Sequence, residues 1–196
     1  MGRLLSFLYP TALTQFFEST LAYTYTGFHA HRFKSWGEFS NMAWGCSLRN
    51  PQYVSVGSNN IFLRNTAITA TPSISGHSPS VVIGNNCHFG IRNHITCINS
   101  ITIGDNLLTG AYVLISDNSH GTTEKGMLDK APFDRPLVSK GAVQIGNNVW
   151  LGDKVSILAD VHIGDNVIIG ANSVVTKDIP ANCVAAGIPA KVIKQL

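Results

Sequence analysis

The chain is predicted to be all-β, a parallel β-helix of about six triangular coils, and three observations carry that prediction. In "IGNNVWLGDKVSILADVHIGDNVIIGANSVVTKDIP", residues 145 to 180, an aliphatic residue returns every six positions, at Ile145, Leu151, Ile157, Ile163, Ile169 and Val175. The slot four further on is branched or small (Val149, Val155, Val161, Val167, Ser173), and Gly, Asn or Asp stands between, where a strand must turn. A period of six matches neither the 3.6-residue helix nor hairpins with turn signals every 8 to 12 residues. It matches short strands joined by tight corners. Three such sides make a coil of about 18 residues, and coils stack about 4.8 Å apart. The aliphatic and branched slots point inward and fill the prism, while corner Gly or Asn accepts positive φ. These repeat residues are core and carry no chemistry.

The same period runs earlier through Val56, Phe62, Ile68 and Ile74, then Ile83, Phe89 and Ile95, then Ile103 and Ile115 with Thr109 in the slot between. Breaks occur at 76–80 and 99–102. The longest lapse is residues 116–142, beyond the length at which structureless loops are ordinary. This divides the chain into an N-terminal amphipathic or irregular segment, 1–51, and a β-helix domain, 52–194, with loop 116–142.

Composition narrows the partners. The chain has 196 residues, 44% hydrophobic and 13% charged, enough for one globular core. Lys and Arg exceed Asp and Glu by only 14 to 11, with no basic run, which speaks against a nucleic-acid footprint. Cys46, Cys87, Cys97 and Cys183 lie far apart without CxxC spacing, as reduced, buried thiols of a cytosolic protein do. The N-terminal "MGRLLSFLYPTALTQFFESTLAYTYTGF" has no run of 18 apolar residues and is broken by Pro10, so neither a transmembrane helix nor a signal peptide is expected. If residues 11–22 are helical, Ala12, Leu13, Phe16, Phe17 and Leu21 share one face. That face would pack on the chain or a neighbour; the other reading is a peripheral foot at the inner face of a membrane, suited to lipid-linked glycans.

The repeat itself, the segment "VQIGNNVWLG" and the ending "IGANSVVTKDIPANCVAAGIPAKVIKQL" resemble the hexapeptide-repeat acyltransferases, nearest to the maltose, galactoside and capsular polysaccharide O-acetyltransferases. The likeness covers roughly residues 52–194. It implies coils that wind left-handed, against the usual right-handed crossover. It further implies a homotrimer of parallel prisms, acetyl-CoA bound as co-substrate between neighbours, and no metal. The implied activity is acetyl-CoA-dependent O-acetyl transfer to a sugar hydroxyl, on a free, nucleotide-linked or lipid-linked saccharide in surface polysaccharide synthesis. N-acylation of an amino sugar and antibiotic acetylation share every motif quoted. A zinc protein like the γ-carbonic anhydrases and a non-catalytic scaffold are the remaining alternatives.

Within "LISDNSHGTT", residues 114 to 123, the family's catalytic histidine aligns with His120, while the earlier histidine of phrases such as DHSHG is Asn118 here. The chemistry wants an imidazole: it takes the hydroxyl proton as the oxygen attacks the thioester, then protonates the leaving thiolate, both near neutrality. The resemblance implies an oxyanion donor at a coil corner, the backbone amide of Asp153. Asn93 and Asn99 hold the slot four after the aliphatic residue, where polar side chains are poor core filler. With an insertion at Asn99 and Ser100, they are the acceptor-site candidates; an asparagine ladder to corner backbone is the alternative. For the coenzyme, Gly152, Gly170 and Ala171 offer close approach to pantetheine, and Thr176, Lys177, Lys191 and Lys194 the phosphate-binding end. His88 and His94, six apart, fall on adjacent sides and cannot share a ligand within one chain, whereas His162 and His77 are expected in solvent. His29 and His31 flank the N-terminal segment without a supported role.

Overall fold

A computed structural model describes residues 11–72 and 78–196. Strands visit three sheets in strict rotation, which is what a six-residue period produces. The first face stacks Ser35–Trp36, Val54–Val56, Ser80–Ile83, Ser100–Ile103, Val143–Ile145 and Val161–Ile163. The second stacks Asn41–Met42, Ile61–Phe62, His88–Phe89, Leu108–Thr109, Trp150–Leu151 and Ile168–Ile169, then closes with the antiparallel pair Cys183–Gly187 and Ala190–Gln195. The third stacks Ser47–Arg49, Ala67–Ala70, His94–Cys97, Leu114–Ser116, Ser156–Ile157 and Val174–Val175. Six coils result, all pairing in parallel with like slots in register, for example Ile103 against Ile145 and Ile145 against Ile163.

The inward slots make one continuous core. Val149, Val155, Val161 and Val167 are all buried, and Phe62 stacks on Phe89 with ring centroids 4.6 Å apart. All four cysteines are free and buried, and burial pushes the Cys46 and Cys87 thiols up to about 11. At the corner after the first face, Asn86, Asn106, Asn148 and Asn166 take left-handed φ of 56° to 60°, and their carboxamides form a ladder (Asn106 to Asn148 2.8 Å, Asn148 to Asn166 3.1 Å). Of the corner glycines, expected to share that role, Gly45 does so at φ +87°, and those at negative φ serve another. Gly84 lies at negative φ, and its missing Cβ makes room for the backbone of Gly104 one coil on, 2.7 Å from where a Cβ would sit.

Two expectations are corrected. The prism begins at residue 35, not 52: Trp36 pairs with Val56, Asn41 with Ile61 and Ser47 with Ala67. Trp36, Met42 and Leu48 keep the six-residue spacing, but the step from Leu48 to Val56 is eight residues, with a single turn at Pro51–Tyr53 between, which hid the first coil. The helix α1 (Thr11–His29) packs on this coil through the opposite face from the one expected. Ala22 and Thr26 are buried, Thr26 Oγ1 accepts the Met42 N–H at 2.8 Å, and the Tyr25 hydroxyl donates to Cys46 O at 2.5 Å. Leu13, Phe16, Phe17 and Leu21 are exposed, Phe16 by 64%. The side chain of Ala12 and residues 1–10, Ile74 and His77 lie outside the described residues.

All departures from the hexapeptide period fall on one corner, between the third face and the first. There lie residues 71–72 and 78–79, the turn Pro51–Tyr53, the insertion at 98–99 and the excursion 117–142, whereas the same corner one coil later is a plain turn over 158–160. The other two corners repeat without interruption, so the fold concentrates its irregular chain at a single edge.

Candidate functional site

His120 rises from this third corner. Its strand, Ser119–His120, pairs antiparallel with Leu137–Val138, His120 opposite Leu137, so the excursion has a two-stranded neck. Gly121 follows at φ +75° and donates its N–H to Pro136 O at 2.9 Å. A Cβ there would fall 2.6 Å from Met127 Cγ, so glycine fits the site on both counts. Beyond the neck the loop folds on itself, with α2 (Lys125–Leu128) followed by a single turn at Pro132–Asp134. The Arg135 guanidinium donates to the carbonyls of Lys130 (3.0 Å) and Leu128 (3.3 Å). His120 is exposed on this neck.

The insertion at 98–99 stands on the same corner, one coil before the loop, and Asp117 joins the two. Its carboxylate is 0% exposed. Oδ1 accepts the Ile98 N–H at 2.9 Å and Oδ2 the Asn99 N–H at 2.9 Å; the Cys97 thiol donates to Oδ2 at 3.2 Å and the Asn118 carboxamide to Oδ1 at 3.1 Å. Asn118, at the family's first-histidine position, also donates to Thr96 O at 3.0 Å, so it braces the loop root. Asn99 is exposed, its carboxamide unpaired among the described residues. Asn93, expected beside it, is not in this surface. It is 2% exposed, points into the prism, accepts the Val113 N–H at 2.8 Å and donates to Thr109 Oγ1. Asn60, in the same slot on the corner before the second face, bonds likewise to the next coil, accepting the Cys87 N–H and donating to Gly84 O. On an uninterrupted corner the slot four after the aliphatic residue faces inward, so Asn93 takes the laddered alternative, whereas the insertion turns that slot outward at Asn99.

The oxyanion and coenzyme candidates stand elsewhere. Gly152, Asp153 and Ala171 belong to the second corner, between the second and third faces. There Asp153 Oδ1 accepts the Ala111 N–H at 2.8 Å from the coil before. The residue above Asp153 is Ala171, which offers no acceptor, so among the described residues the Asp153 N–H has no partner in the chain. The corner is tight, since a Cβ on Gly152 would fall 2.7 Å from Ala171 N. Gly170 follows on the same column, its N–H donated to Ala185 O at 2.9 Å. The lysines expected at the phosphate-binding end are carried by two elements. Lys191 and Lys194 are exposed on the closing strand of the second face, opposite Ala186 and Val184, while Thr176 and Lys177 leave the end of the third face.

His88 and His94 lie on the second and third faces, as their spacing requires, and burial holds His94 below the ordinary imidazole range. His162 is exposed on the first face. Among the described residues no group of three His, Cys, Asp or Glu side chains is placed to hold a metal ion. The residue that sequence reasoning missed is Asp117. Two extra residues at a corner expose two N–H groups needing an acceptor, and the lone Asp in "LISDNSH" was the signal.

A stacked hexapeptide prism with a histidine-bearing loop at one corner is the architecture of an acyl-transferring enzyme. Residues 142–177 match the family model described as bacterial transferase hexapeptide (six repeats), and 80–114 match the hexapeptide repeat of succinyl-transferase. The galactoside O-acetyltransferase of Escherichia coli K12 is 35% identical over 150 residues, 76% of this chain and 68% of that protein. WbbJ of the same strain, whose name assigns it to lipopolysaccharide biosynthesis O-acetyl transfer, is 43% identical over 105 residues. That match covers 52% of this chain and only 54% of WbbJ, so the chain spans about half the length of that relative. A solved galactoside acetyltransferase in complex with coenzyme A superposes with a TM-score of 0.60 at 34% identity, over 71% of this chain and 64% of that one. The chain belongs to the hexapeptide-repeat acyltransferases and has their left-handed parallel β-helix.

Proposed function

We propose that the chain transfers an acetyl group from acetyl-CoA to a saccharide hydroxyl, and that the reaction takes place between two chains of a homotrimer. One observation carries this reading: His120 stands on the third corner, and the unpaired Asp153 amide with the Gly152–Ala171 column on the second. Within one chain a whole hexapeptide side, up to ~20 Å of extended backbone, separates the two. A second copy brings one chain's third corner to its neighbour's second. His120 then removes the proton from the acceptor hydroxyl as its oxygen attacks the thioester carbonyl. The Asp153 N–H meets the oxyanion that forms, and the collapsing intermediate releases a thiolate that takes the proton back from the imidazolium. Asn99, exposed at the same corner, bonds the acceptor. The relatives named for galactoside and lipopolysaccharide acetylation support a sugar in this role.

The test is a thiol-release assay with acetyl-CoA and a panel of free, nucleotide-linked and amino sugars. Release with a hydroxyl acceptor supports the reading. Release only with amino sugars reassigns it to N-acylation, and loss on chelation with recovery on adding zinc removes the metal-free mechanism. In the same assay, Lys177→Ala and Lys191→Ala are each expected to raise KM for acetyl-CoA about tenfold, as loss of one charge-assisted hydrogen bond does. The rise should be smaller with a 3′-dephospho analogue. Equal rises would move both lysines from the 3′-phosphate to the shared part of the coenzyme, and no rise would return them to the solvated surface.

The acceptor is carried on a nucleotide or a lipid, and in the second case the enzyme works at an anionic membrane surface in the cytoplasm. The support is the exposed Leu13, Phe16, Phe17 and Leu21 face of α1, together with Arg64, which lines the same cavity as Leu21. Among the described residues no helix is long and apolar enough to cross a membrane. Cosedimentation with phosphatidylglycerol vesicles, weaker with phosphatidylcholine and abolished by Phe16→Ser with Phe17→Ser, is expected. Binding that survives the double substitution would remove α1 from the contact.

A further inference from the structure

We propose that Asp117 is a positioning residue that locks the acceptor-side insertion, Ile98–Asn99, to the root of the His120 loop. The inference rests on the acetyl-transfer reading above. Four donors converge on one side chain: the N–H groups of Ile98 and Asn99 at 2.9 Å each, the Asn118 carboxamide at 3.1 Å and the Cys97 thiol at 3.2 Å. Only a group that accepts on both atoms and donates on neither satisfies that set, and an ionised carboxylate is that group. An asparagine would turn an NH₂ toward two donors. Burial, with the Asp117 charge beside it, pushes the Cys97 thiol up, so the thiol stays protonated and donates.

The arrangement differs from the chain's other corner devices. Asn85, Asn147 and Asp153 accept a single coil-to-coil N–H each and stand in solvent, repeating the same contact along a column. Asp117 occurs once, is fully buried, and lies where two irregular segments leave the prism. One of those segments presents Asn99 to the acceptor, and the other carries His120 three residues on. Asn118 completes the clamp: it bonds the carboxylate and, through Thr96 O and Thr96 Oγ1, the strand that leads into the insertion. A shift of Asn99 is thereby transmitted to the base and not lost in a flexible corner. The distance between the bound hydroxyl and the imidazole is what Asp117 sets.

The assay is steady-state kinetics on the full chain with acetyl-CoA and the best acceptor of the panel. Wild-type turnover that His120→Ala abolishes establishes the acetyl-transfer reading first; no turnover with any acceptor overturns that reading and this proposal with it. Given turnover, Asp117→Asn is expected to lower kcat/KM for the acceptor at least tenfold while KM for acetyl-CoA stays within twofold. Asn99→Ala added to Asp117→Asn should then cost much less than it costs alone, because the two act through one contact. Should Asp117→Asn fail to fold, Cys97→Ala removes a single donor: it should raise KM for the acceptor, and Cys97→Ser, which restores a donor, should return it to the wild-type value. Acceptor kinetics unchanged in Asp117→Asn, additive losses with Asn99→Ala, or a Cys97→Ala enzyme with wild-type acceptor KM would each leave Asp117 a purely structural residue.

Discussion

Replacing His120 by alanine is expected to lower kcat by about 10² to 10⁴, the range over which general-base catalysis contributes. In barrier terms this is about 2.7 to 5.4 kcal/mol, larger than any single contact to substrate supplies at an exposed site. The fold should survive. His120 is exposed on the neck of the excursion, its strand is held by backbone pairing with Leu137–Val138, and the left-handed turn that follows belongs to Gly121. Affinity for acetyl-CoA should stay close to wild type, because the column at Gly152 and Ala171 proposed for the coenzyme lies on another corner. Kinetics, a melting curve and a coenzyme-binding isotherm on one preparation separate these claims. Near-full turnover would remove His120 from the mechanism, and a collapsed melting curve would show that the histidine holds the loop.

The period of six made the fold legible, since it fixes which residues point inward and how the strands rotate through three faces. The same regularity hid what departs from it. Coil one kept the spacing at Trp36, Met42 and Leu48, but the eight-residue step to Val56 cut it off from the run that follows, and so it read as irregular chain. The helix was recognised, but not its direction of packing. Small Ala22 and Thr26 let its backbone approach the first coil, whereas the large residues that suggested a buried face remain in solvent. At the site, His120 and Asn99 were legible as interruptions, because residues that break a strict repeat must be held for another reason. Asn93 was misread because polar side chains in a core look misplaced until their partner is known. Thr109, standing in an aliphatic slot opposite it, was that partner. Asp117 was passed over for a related reason: its value lies in four donors, three of them contributed by the strand end and insertion at 97–99.

Mixing two inactive variants should restore activity, and this is the sharpest consequence of dividing the site between corners. In Ala171→Trp the indole would fill the column beside Gly152, where even a Cβ on that glycine would lie 2.7 Å from Ala171 N, so the coenzyme should be excluded while His120 stays intact. In His120→Ala the column is open and the base missing. Each homotrimer alone is dead. After unfolding and refolding together, an interface works wherever a chain with an intact histidine faces a chain with an open column. Going round a closed threefold ring, every mixed trimer contains that order once. Three quarters of randomly assembled trimers are mixed and each has one working interface in three, so about a quarter of wild-type activity should return. The measurement is activity against mixing ratio, with size-exclusion and light scattering to establish that trimers have re-formed. Re-formed mixed trimers that stay inactive would place the whole site within one chain. The hexapeptide side between the second and third corners would then have to be bridged by the excursion itself, which folds over residues 121–136 beyond its neck.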